Sequence, residues 1–598
     1  MKQFLNKKVK NKLVAVALAV IIAVAFFVRV YNFDDWLYFK MDQARDAMLI
    51  TNVLENGPGY LPLLGPRAGA TEVDNGYLRL GPAYYYMQYL AGLLSGGNEP
   101  MSNAYPDLAL SIAVLPLLYI FLRLYFNKLN SLLVVAMYAF SFLIIEYSRF
   151  AWNPNTLPFF MILAFYGMLR FFSEKDFKKS IGWIALWSFG LAVGAQLHFF
   201  GFFSLLGISG LMLLWHWKVR EIWKNKNFGD TFSKIKFKSC LIFGGVALGV
   251  FLLASSPLII SDVFKKGENS KNFMQAFSSK PEKKPLVDKI TKDISESFKY
   301  YCLLSTSKCV SGGGFDKKNI VPASFSILFI LAGIAYAIYR LKGRKETDKN
   351  KRNFLFLIIT WFSVFFILLI PVSFQLRPRF FIVVFALPFI LAGFLFEAMQ
   401  VKWKKAGMLI SLLFFLVIIF LNVKGTLGWF QEQRLSQLGD AKIQRTLILK
   451  NKDGVTLGQL QRAVSFMYAR HRENYKLYYY VKPEHVAPVK FLLRQKKDAS
   501  LEFSQISGEA VENSQFFAIT TTGGSVQDLK SKFGSDVEII DQEKVGQITV
   551  SEIKIEGIKI KKENMFFNRD AGKSDRVFWK DVFGLKEKEG ASQIEGLE

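Results

Sequence analysis

The chain has 598 residues, of which 52% are hydrophobic and 21% charged, and its formal net charge is +28. Apolar runs of membrane length alternate with short charged connectors as far as about Val423, and only the remainder has the composition of a soluble protein. This pattern predicts an all-α polytopic membrane protein with a soluble tail. It argues against nucleic acid as the reason for the positive charge, because the lysines cluster between membrane segments.

About eleven apolar segments, each of roughly 17–25 residues, predict transmembrane helices. The first follows a basic start, MKQFLNKKVKNK, and lacks a small-residue cleavage site, so we interpret it as an uncleaved span. The predicted spans are 13–30, 106–126, 131–149, 156–174, 181–200, 202–217, 239–260, 320–340, 354–372, 380–398 and 406–423.

Basic connectors predict the orientation of these spans. Lys and Arg concentrate at the N-terminus and in the connectors 174–180, 218–238, 340–353 and 401–405, which the positive-inside rule places in the cytoplasm. The outer segments are then a first loop at 31–105, a second loop at 261–319, three short turns, and everything after Lys424. The motifs MDQARD, SRFAWNPN, QLHFF and QLRPRF therefore converge on the outer face.

The first outer loop is predicted to carry interfacial helices. A helical stretch at 41–54 precedes a Gly/Pro-rich turn region at 56–76, and a Tyr-rich amphipathic stretch at 81–96 follows.

The tail is predicted to form a separate unit. One helical stretch is followed by short β-prone runs, which predicts a small α/β domain over 428–585, outside the membrane domain 1–427. Residues 586–598 have the composition of a disordered end.

Asp42, Arg45 and Asp46 lie within about one helical turn of each other. The two carboxylates share a helix face, and Arg45 can pair with either of them. Spacing alone favours a surface ion-pair cluster at the start of an interfacial helix. The alternative is a general base or orienting carboxylate at the membrane surface.

Arg377 and Arg379 flank Pro378 on an outer turn, where the positive-inside rule disfavours them. A single Arg at such a place more often reaches toward lipid headgroups. Two are better suited to bidentate binding of a lipid phosphate.

Other outer-face residues have ordinary structural explanations. His198 ends an apolar run and is more often a hydrogen-bonded structural residue than a base. Asn153 precedes a proline, as in many turns, and Arg149 can pair with Glu146. Cys302 and Cys309 share the second outer loop, and two separate thiols or a disulfide stay open.

The order of these motifs resembles the GT-C membrane glycosyltransferases, specifically the protein O-mannosyltransferases and aminoarabinose transferases of glycosyltransferase family 39. MDQARDAMLITNVLENG is similar to the acidic first-loop motif of bacterial members, and RLGPAYYYMQYLAGLLSGGNEP to the segment after it. SRFAWNPNTLPFF, QLHFF and RPRFFIVVFALPFILAG are similar to further membrane-region signatures. The resemblance covers roughly residues 10–425 and leaves the tail out.

The resemblance implies a GT-C-like fold and a sugar transfer on the outer face of the cytoplasmic membrane. The implied partners are a polyprenyl-phosphate sugar donor, a glycan, lipid or protein acceptor, and the bilayer. Asp42 takes the place of the functional first-loop carboxylate, with Asp46 beside it. The candidate residues for donor binding are Arg45, Arg79, Tyr84, Tyr85, Arg149, Asn153, His198, Arg377 and Arg379.

The sequence departs from the family pattern at two places. Many relatives carry Asp-Glu where this chain has Asp42 and Gln43, which weakens the case for a divalent metal. Leu80 stands where relatives often have Lys or His, and Arg79 is the candidate substitute.

Three rival interpretations stay open. A transporter or flippase usually carries ionisable groups near mid-membrane, whereas the groups here lie near span ends. A membrane-anchored scaffold would leave the outer-face motifs unexplained, and a lipid-linked polymerase or ligase is excluded only weakly. The sugar and the acceptor cannot be identified from the sequence.

Overall fold

The computed structural model describes residues 2–73, 76–97, 99–217, 237–278, 284–309, 319–342, 345–440, 454–473, 475–496, 503–505, 509–510, 513–521, 529, 537–556, 559–560 and 576–585. Apolar helices account for most of the described chain as far as Leu438, and a mixed sheet follows. The predicted disordered end at 586–598 lies outside the described residues.

Nine of the described helical segments are long and apolar enough to cross a membrane, from Asn11–Val30 to Leu387–Leu438. This agrees with the predicted polytopic membrane protein. The helices as far as Leu438 are α1 (Lys2–Val30), α2 (Met41–Asn56), α3 (Ala83–Ser95), α4 (Tyr105–Leu122), α5 (Lys128–Ala139), α6 (Phe142–Tyr147), α7 (Leu157–Ser173), α8 (Phe177–Leu197), α9 (Phe199–His216), α10 (Phe237–Phe264), α11 (Glu268–Ser278), α12 (Leu286–Thr306), α13 (Ile320–Lys342), α14 (Lys349–Leu369) and α15 (Leu387–Leu438).

The 52-residue segment α15 contains most of the predicted span 380–398 and all of the predicted span 406–423. Its backbone leaves helical geometry at Lys404 (φ 45°, ψ −113°), and the ring centroids of Phe396 and Phe414 lie 5.6 Å apart. A straight helix would separate those two positions by about 27 Å. The chain therefore reverses at Lys404 into a helical hairpin, whose second arm continues past the predicted domain boundary at 428.

The predicted span 131–149 is broken into α5 and α6. At the break, the Ser141 hydroxyl donates to the Leu304 carbonyl (2.7 Å) and the Phe142 amide donates to Asn422 Oδ1 (3.0 Å). Because neighbouring helices bond these polar groups, the irregular backbone is tolerated inside the bundle. Each piece is short for a complete crossing, so the number eleven stays a prediction.

Close packing of α7 against α8 depends on two glycines. A Cβ atom added to Gly190 would lie 2.8 Å from the Ala164 amide nitrogen, and one added to Gly167 would lie 2.8 Å from that of Trp187. Small residues of this kind let membrane helices approach until their backbones are in contact.

The described part of the C-terminal region contains a five-stranded mixed sheet with the strand order β4-β3-β6-β8-β7. Strands β3 and β6 are parallel, as are β3 and β4, whereas β8 is antiparallel to both β6 and β7. The strands are β3 (Lys476–Val481), β4 (Phe503–Gln505), β5 (Glu509–Ala510), β6 (Ser514–Thr521), β7 (Val537–Val545), β8 (Ile548–Ile555) and β9 (Lys559–Ile560), and the helices are α16 (Leu457–Ala469), α17 (Pro483–Gln495) and α18 (Trp579–Phe583).

The first outer loop differs from its prediction in one element. The Gly/Pro-rich region, expected to be turns, also contains an antiparallel hairpin of β1 (Arg67–Val73) and β2 (Gly76–Arg79). The stretch VDNG at 73–76 is a common hairpin signal that the interpretation as a turn region passed over.

Helix α2 of this loop packs directly on the C-terminal region. The ring centroid of Phe39 lies 5.6 Å from that of Phe491 in α17, and Lys40 Nζ lies 3.2 Å from His485 Nε2. One apolar cluster includes Ala44, Ala47 and Met48 of α2 together with residues of α16, α17 and the sheet. The sheet region therefore supports the helix that carries the acidic motif.

Candidate functional site

The start of α2 is fixed by Gln43. Its side-chain oxygen accepts a hydrogen bond from the Lys40 amide (3.2 Å), and its side-chain nitrogen donates to the Ala151 carbonyl (3.0 Å). Gln43 therefore joins the first outer loop to the turn before α7. The neighbouring Asp42 side chain stays 44% exposed.

Arg45 joins the two carboxylates of the motif. Its Nε and Nη2 donate to Asp46 Oδ1 at 3.0 and 2.8 Å, and its Nη1 donates to Asp42 Oδ1 at 3.2 Å. The hydroxyl of Tyr85 in α3 donates to the same Asp46 Oδ1 at 3.0 Å. The structure thus brings together four of the predicted site residues.

The two aspartates have different surroundings. Asp46 is buried, with 3% of its surface exposed. Burial raises the pKa of Asp46, the nearby Asp42 adds to the rise, and Arg45 and Arg576 oppose it. Three donated hydrogen bonds favour an ionised Asp46 carboxylate. Asp46 is therefore suited to hold Arg45 in place, while the accessible Asp42 can meet a substrate.

Arg379 lies within electrostatic range of Asp42 in the acidic motif. Burial lowers the pKa of Arg379, the charge of Arg377 adds to the lowering, and Tyr147 and the Asp42 carboxylate oppose it. Its guanidinium carbon lies 5.9 Å from the Trp152 ring centroid. Arg377 is exposed at the start of the short 3₁₀ helix Pro378–Val384. The negative charge of Asp42 in the first loop and the positive charge of Arg379 in the turn after α14 therefore interact electrostatically.

His198 also borders this region, but as a neutral group. Its Nδ1 accepts a hydrogen bond from the Phe200 amide (3.2 Å) at the start of α9, and its ring lies 6.2 Å from that of Phe380. Burial lowers the pKa of His198 to about 3, and the charge of Arg379 adds to the lowering. The imidazole is therefore neutral at pH 7.

The Arg149 side chain caps the C-terminal end of the first span, α1. Its Nη1 donates to the carbonyl of Arg29 at 2.6 Å and its Nη2 to that of Tyr31 at 2.7 Å, with longer bonds to Val28 and Asn32. These carbonyls lie at the C-terminal end of α1, where backbone acceptors need partners. The geometry supports a positioning role, and donor binding by Arg149 stays a prediction.

The other candidates have specific partners. The Asn153 side chain donates to the Leu197 carbonyl. The Tyr84 hydroxyl donates to Asp107 Oδ2 at 2.6 Å. The Arg79 amide donates to Asn269 Oδ1 at 3.0 Å, which connects β2 with α11. The hydrogen bonds of the Asn153 side chain and the Tyr84 hydroxyl therefore go to groups other than Asp46.

Two buried charged residues near the candidate site, Asp107 and Arg576, were missed by sequence reasoning. Asp107 lies at the start of the predicted span 106–126. No pattern in the neighbouring residues indicates that its carboxylate accepts a hydrogen bond from Tyr84. Arg576 lies in the tail, and its guanidinium carbon is 5.5 Å from the Tyr85 ring centroid. No pattern near residue 576 indicates this contact, which depends on long-range packing.

The described residues contain no group of three or more His, Cys, Asp or Glu side chains that could hold a metal ion. At the acidic motif, Asp46 is engaged by Arg45 and Tyr85, which leaves the exposed Asp42 as the carboxylate open to a cation. This donor set does not fit a protein-built metal site, and we derive no step through a metal.

The fold and the site define a multi-pass membrane protein with an acidic first loop and a sheet region packed on that loop. Residues 75–257 match the family described as dolichyl-phosphate-mannose-protein mannosyltransferase. The resemblance indicated by the motifs is therefore confirmed over this segment of the chain. No curated protein sequence matches the chain significantly.

The chain is similar in structure to two solved proteins, among others. The apo ArnT structure from Cupriavidus metallidurans aligns over 90% of this chain and 97% of its own, at 11% identity and a TM-score of 0.48. The oligosaccharyltransferase AglB from Archaeoglobus fulgidus aligns over 81% of this chain, at 13% identity and a TM-score of 0.46. This chain spans 64% of the AglB chain.

Proposed function

We propose that the protein is an integral membrane glycosyltransferase that moves a sugar from a polyprenyl-phosphate donor to an acceptor hydroxyl on the outer face of the cytoplasmic membrane. The observation that carries the proposal is that the exposed Asp42 carboxylate lies within electrostatic range of the Arg379 guanidinium. The mannosyltransferase-family segment lies between these two residues in the chain.

The proposed reaction needs a base and an electrostatic partner for the leaving group. Asp42 takes the proton of the acceptor hydroxyl, whose oxygen forms a bond to the anomeric carbon of the sugar. The bond from that carbon to the phosphate oxygen breaks, and its electron pair stays on the phosphate. Arg377 and Arg379 stabilise the negative charge that develops there. Arg45 and Asp46 keep the Asp42 carboxylate in position.

We propose that the N-terminus is cytoplasmic and that the site and the C-terminal region lie outside. The basic connectors support this orientation. A disulfide between Cys302 and Cys309 in the second outer loop supports it independently, because such bonds persist in oxidising compartments. The outer-face convergence of the site also favours a surface reaction over the transporter alternative.

Purified protein incubated with polyprenyl-phosphate sugars tests the function. Released polyprenyl phosphate, and sugar transferred to an added hydroxyl acceptor, is the expected result. An Asp42→Asn preparation is the control for contaminating transferases. Protein that binds these donors and releases no polyprenyl phosphate with any acceptor would contradict the proposal.

A further inference from the structure

A short C-terminal segment, Arg576–Leu585, folds back onto the first outer loop, and we name it the strap. The Leu63 amide donates to the Val577 carbonyl (2.8 Å), and the Trp579 amide donates to the Leu61 carbonyl (3.2 Å). The Trp579 indole nitrogen also donates to the Tyr86 hydroxyl in α3 (2.9 Å). Three hydrogen bonds thus hold the strap against the first outer loop, at the segment after α2 and at α3.

This docking places Arg576 at the cluster. Its guanidinium carbon lies 5.5 Å from the Tyr85 ring centroid, and the Tyr85 hydroxyl donates to Asp46. Arg576 is 7% exposed, and Asp46 3%. In such a buried place a cation acts at short range with little screening by solvent.

We infer that Arg576 is a positioning residue that the strap brings to the cluster. Its side chain holds Tyr85 and the ionised Asp46 in place. Asp46 in turn holds Arg45, which orients Asp42. This deepens the proposed function and rests on it for the catalytic consequence. The charged and titratable groups that face Asp46 are Arg45 and Asp42 on its own helix, Tyr84 and Tyr85 on α3, and Arg576 on the strap.

Three variants separate position from charge. Arg576→Gln removes the cation, and Arg576→Lys keeps the charge without the planar fork. Lys580→Gln is the matched control, because it removes a positive charge from the same strap, where the ammonium lies 4.7 Å from the Tyr60 ring centroid.

In the transfer assay, we expect Arg576→Gln to lower kcat about tenfold, equivalent to about 1.4 kcal/mol, with the donor KM unchanged. Arg576→Lys restores part of the rate, and Lys580→Gln keeps the normal rate. A normal kcat for Arg576→Gln in a preparation whose wild type is active would overturn the inference.

A second readout does not depend on turnover. Infrared difference spectra across a pH titration report protonation of the Asp46 carboxyl, identified by the band that Asp46→Asn lacks. Because the Arg576 charge opposes protonation of Asp46, Arg576→Gln should move the midpoint of this band to higher pH, and Lys580→Gln should leave it in place.

The two readouts distinguish the possible failures. An inactive wild type whose Asp46 midpoint still moves in Arg576→Gln refutes the proposed function and keeps the positioning role. An unmoved midpoint refutes that role, whatever the activity.

Discussion

Arg45 donates two hydrogen bonds, from Nε and Nη2, to a single oxygen of Asp46. Its third hydrogen bond, from Nη1, goes to Asp42. The guanidinium therefore connects a buried carboxylate to an exposed one, and the exposed carboxylate is oriented by a group that is itself held in place. An isolated surface ion pair would have no such buried anchor.

Asp42→Asn is expected to abolish turnover while the protein folds normally. The amide keeps the shape of the side chain but cannot take a proton, and general-base catalysis contributes about 10²–10⁴-fold in rate. Initial rates of polyprenyl phosphate release measure the loss. Glu55→Gln, which removes an exposed carboxylate from the far end of the same helix, is the control. Near-normal transfer by Asp42→Asn would favour a simple surface ion pair.

Arg379→Ala is expected to weaken donor use by roughly 10- to 150-fold in kcat/KM, the range of a lost charge-assisted hydrogen bond. Lys at this position should rescue activity partly, because it lacks the bidentate fork. Initial rates of transfer, measured over a range of donor concentrations, give kcat/KM for each variant. Lys402→Ala removes an exposed cation in a predicted cytoplasmic connector and serves as control. Unchanged kcat/KM in an Arg377→Ala/Arg379→Ala double variant would exclude both residues from phosphate binding.

Cysteine labelling tests the proposed orientation. In a Cys240→Ser background, Glu473→Cys in the C-terminal region should react with an impermeant maleimide added to intact cells. Lys178→Cys, in the first turn of α8 and within the predicted cytoplasmic connector 174–180, should react only after the membrane is opened. Both positions are exposed. The reverse labelling pattern would place the acidic motif in the cytoplasm.

Breaking the Cys302–Cys309 disulfide should lower the free energy of unfolding by about 2–3 kcal/mol, according to the loop-closure estimate for a short loop. Thermal unfolding of Cys302→Ala/Cys309→Ala in detergent measures the change. Mass spectrometry of wild-type protein from its native membrane provides the control, since two free thiols there would contradict the disulfide.

Phe491→Ala should destabilise the contact between the sheet region and α2 by about 3–5 kcal/mol, the usual cost of removing a buried aromatic side chain. Because this contact supports the acidic motif, transfer activity should fall together with the protease resistance of the tail. Phe583→Ala makes the same chemical change at a side chain that is 66% exposed and should be milder. Full activity in a Phe491→Ala protein whose tail is proteolysed would show that the motif is independent of the sheet region.

The local features of this protein could be predicted from its sequence. Hydropathy identified most spans, since roughly 20 apolar residues suffice to define a membrane helix. Helical periodicity placed Asp42 and Asp46 on one face with Arg45 between them, and the structure retains that arrangement. The hairpin of β1 and β2 also has a local signal, the residues DNG at 74–76, so it too is predictable from the sequence.

Long-range packing decided the rest. The break at Ser141 depends on partners supplied by other helices, so it does not interrupt the hydropathy of its segment. The reversal at Lys404, in contrast, coincides with the basic connector at 401–405 and has a local signal. Arg149 attracted attention as a candidate ligand, yet it caps the first span across more than 100 residues of chain. The sequence by itself determined the membrane helices and the acidic motif. Only the tertiary structure decided that Arg576 reaches Tyr85, because contacts between distant segments depend on the fold of the whole chain and not on local residue patterns.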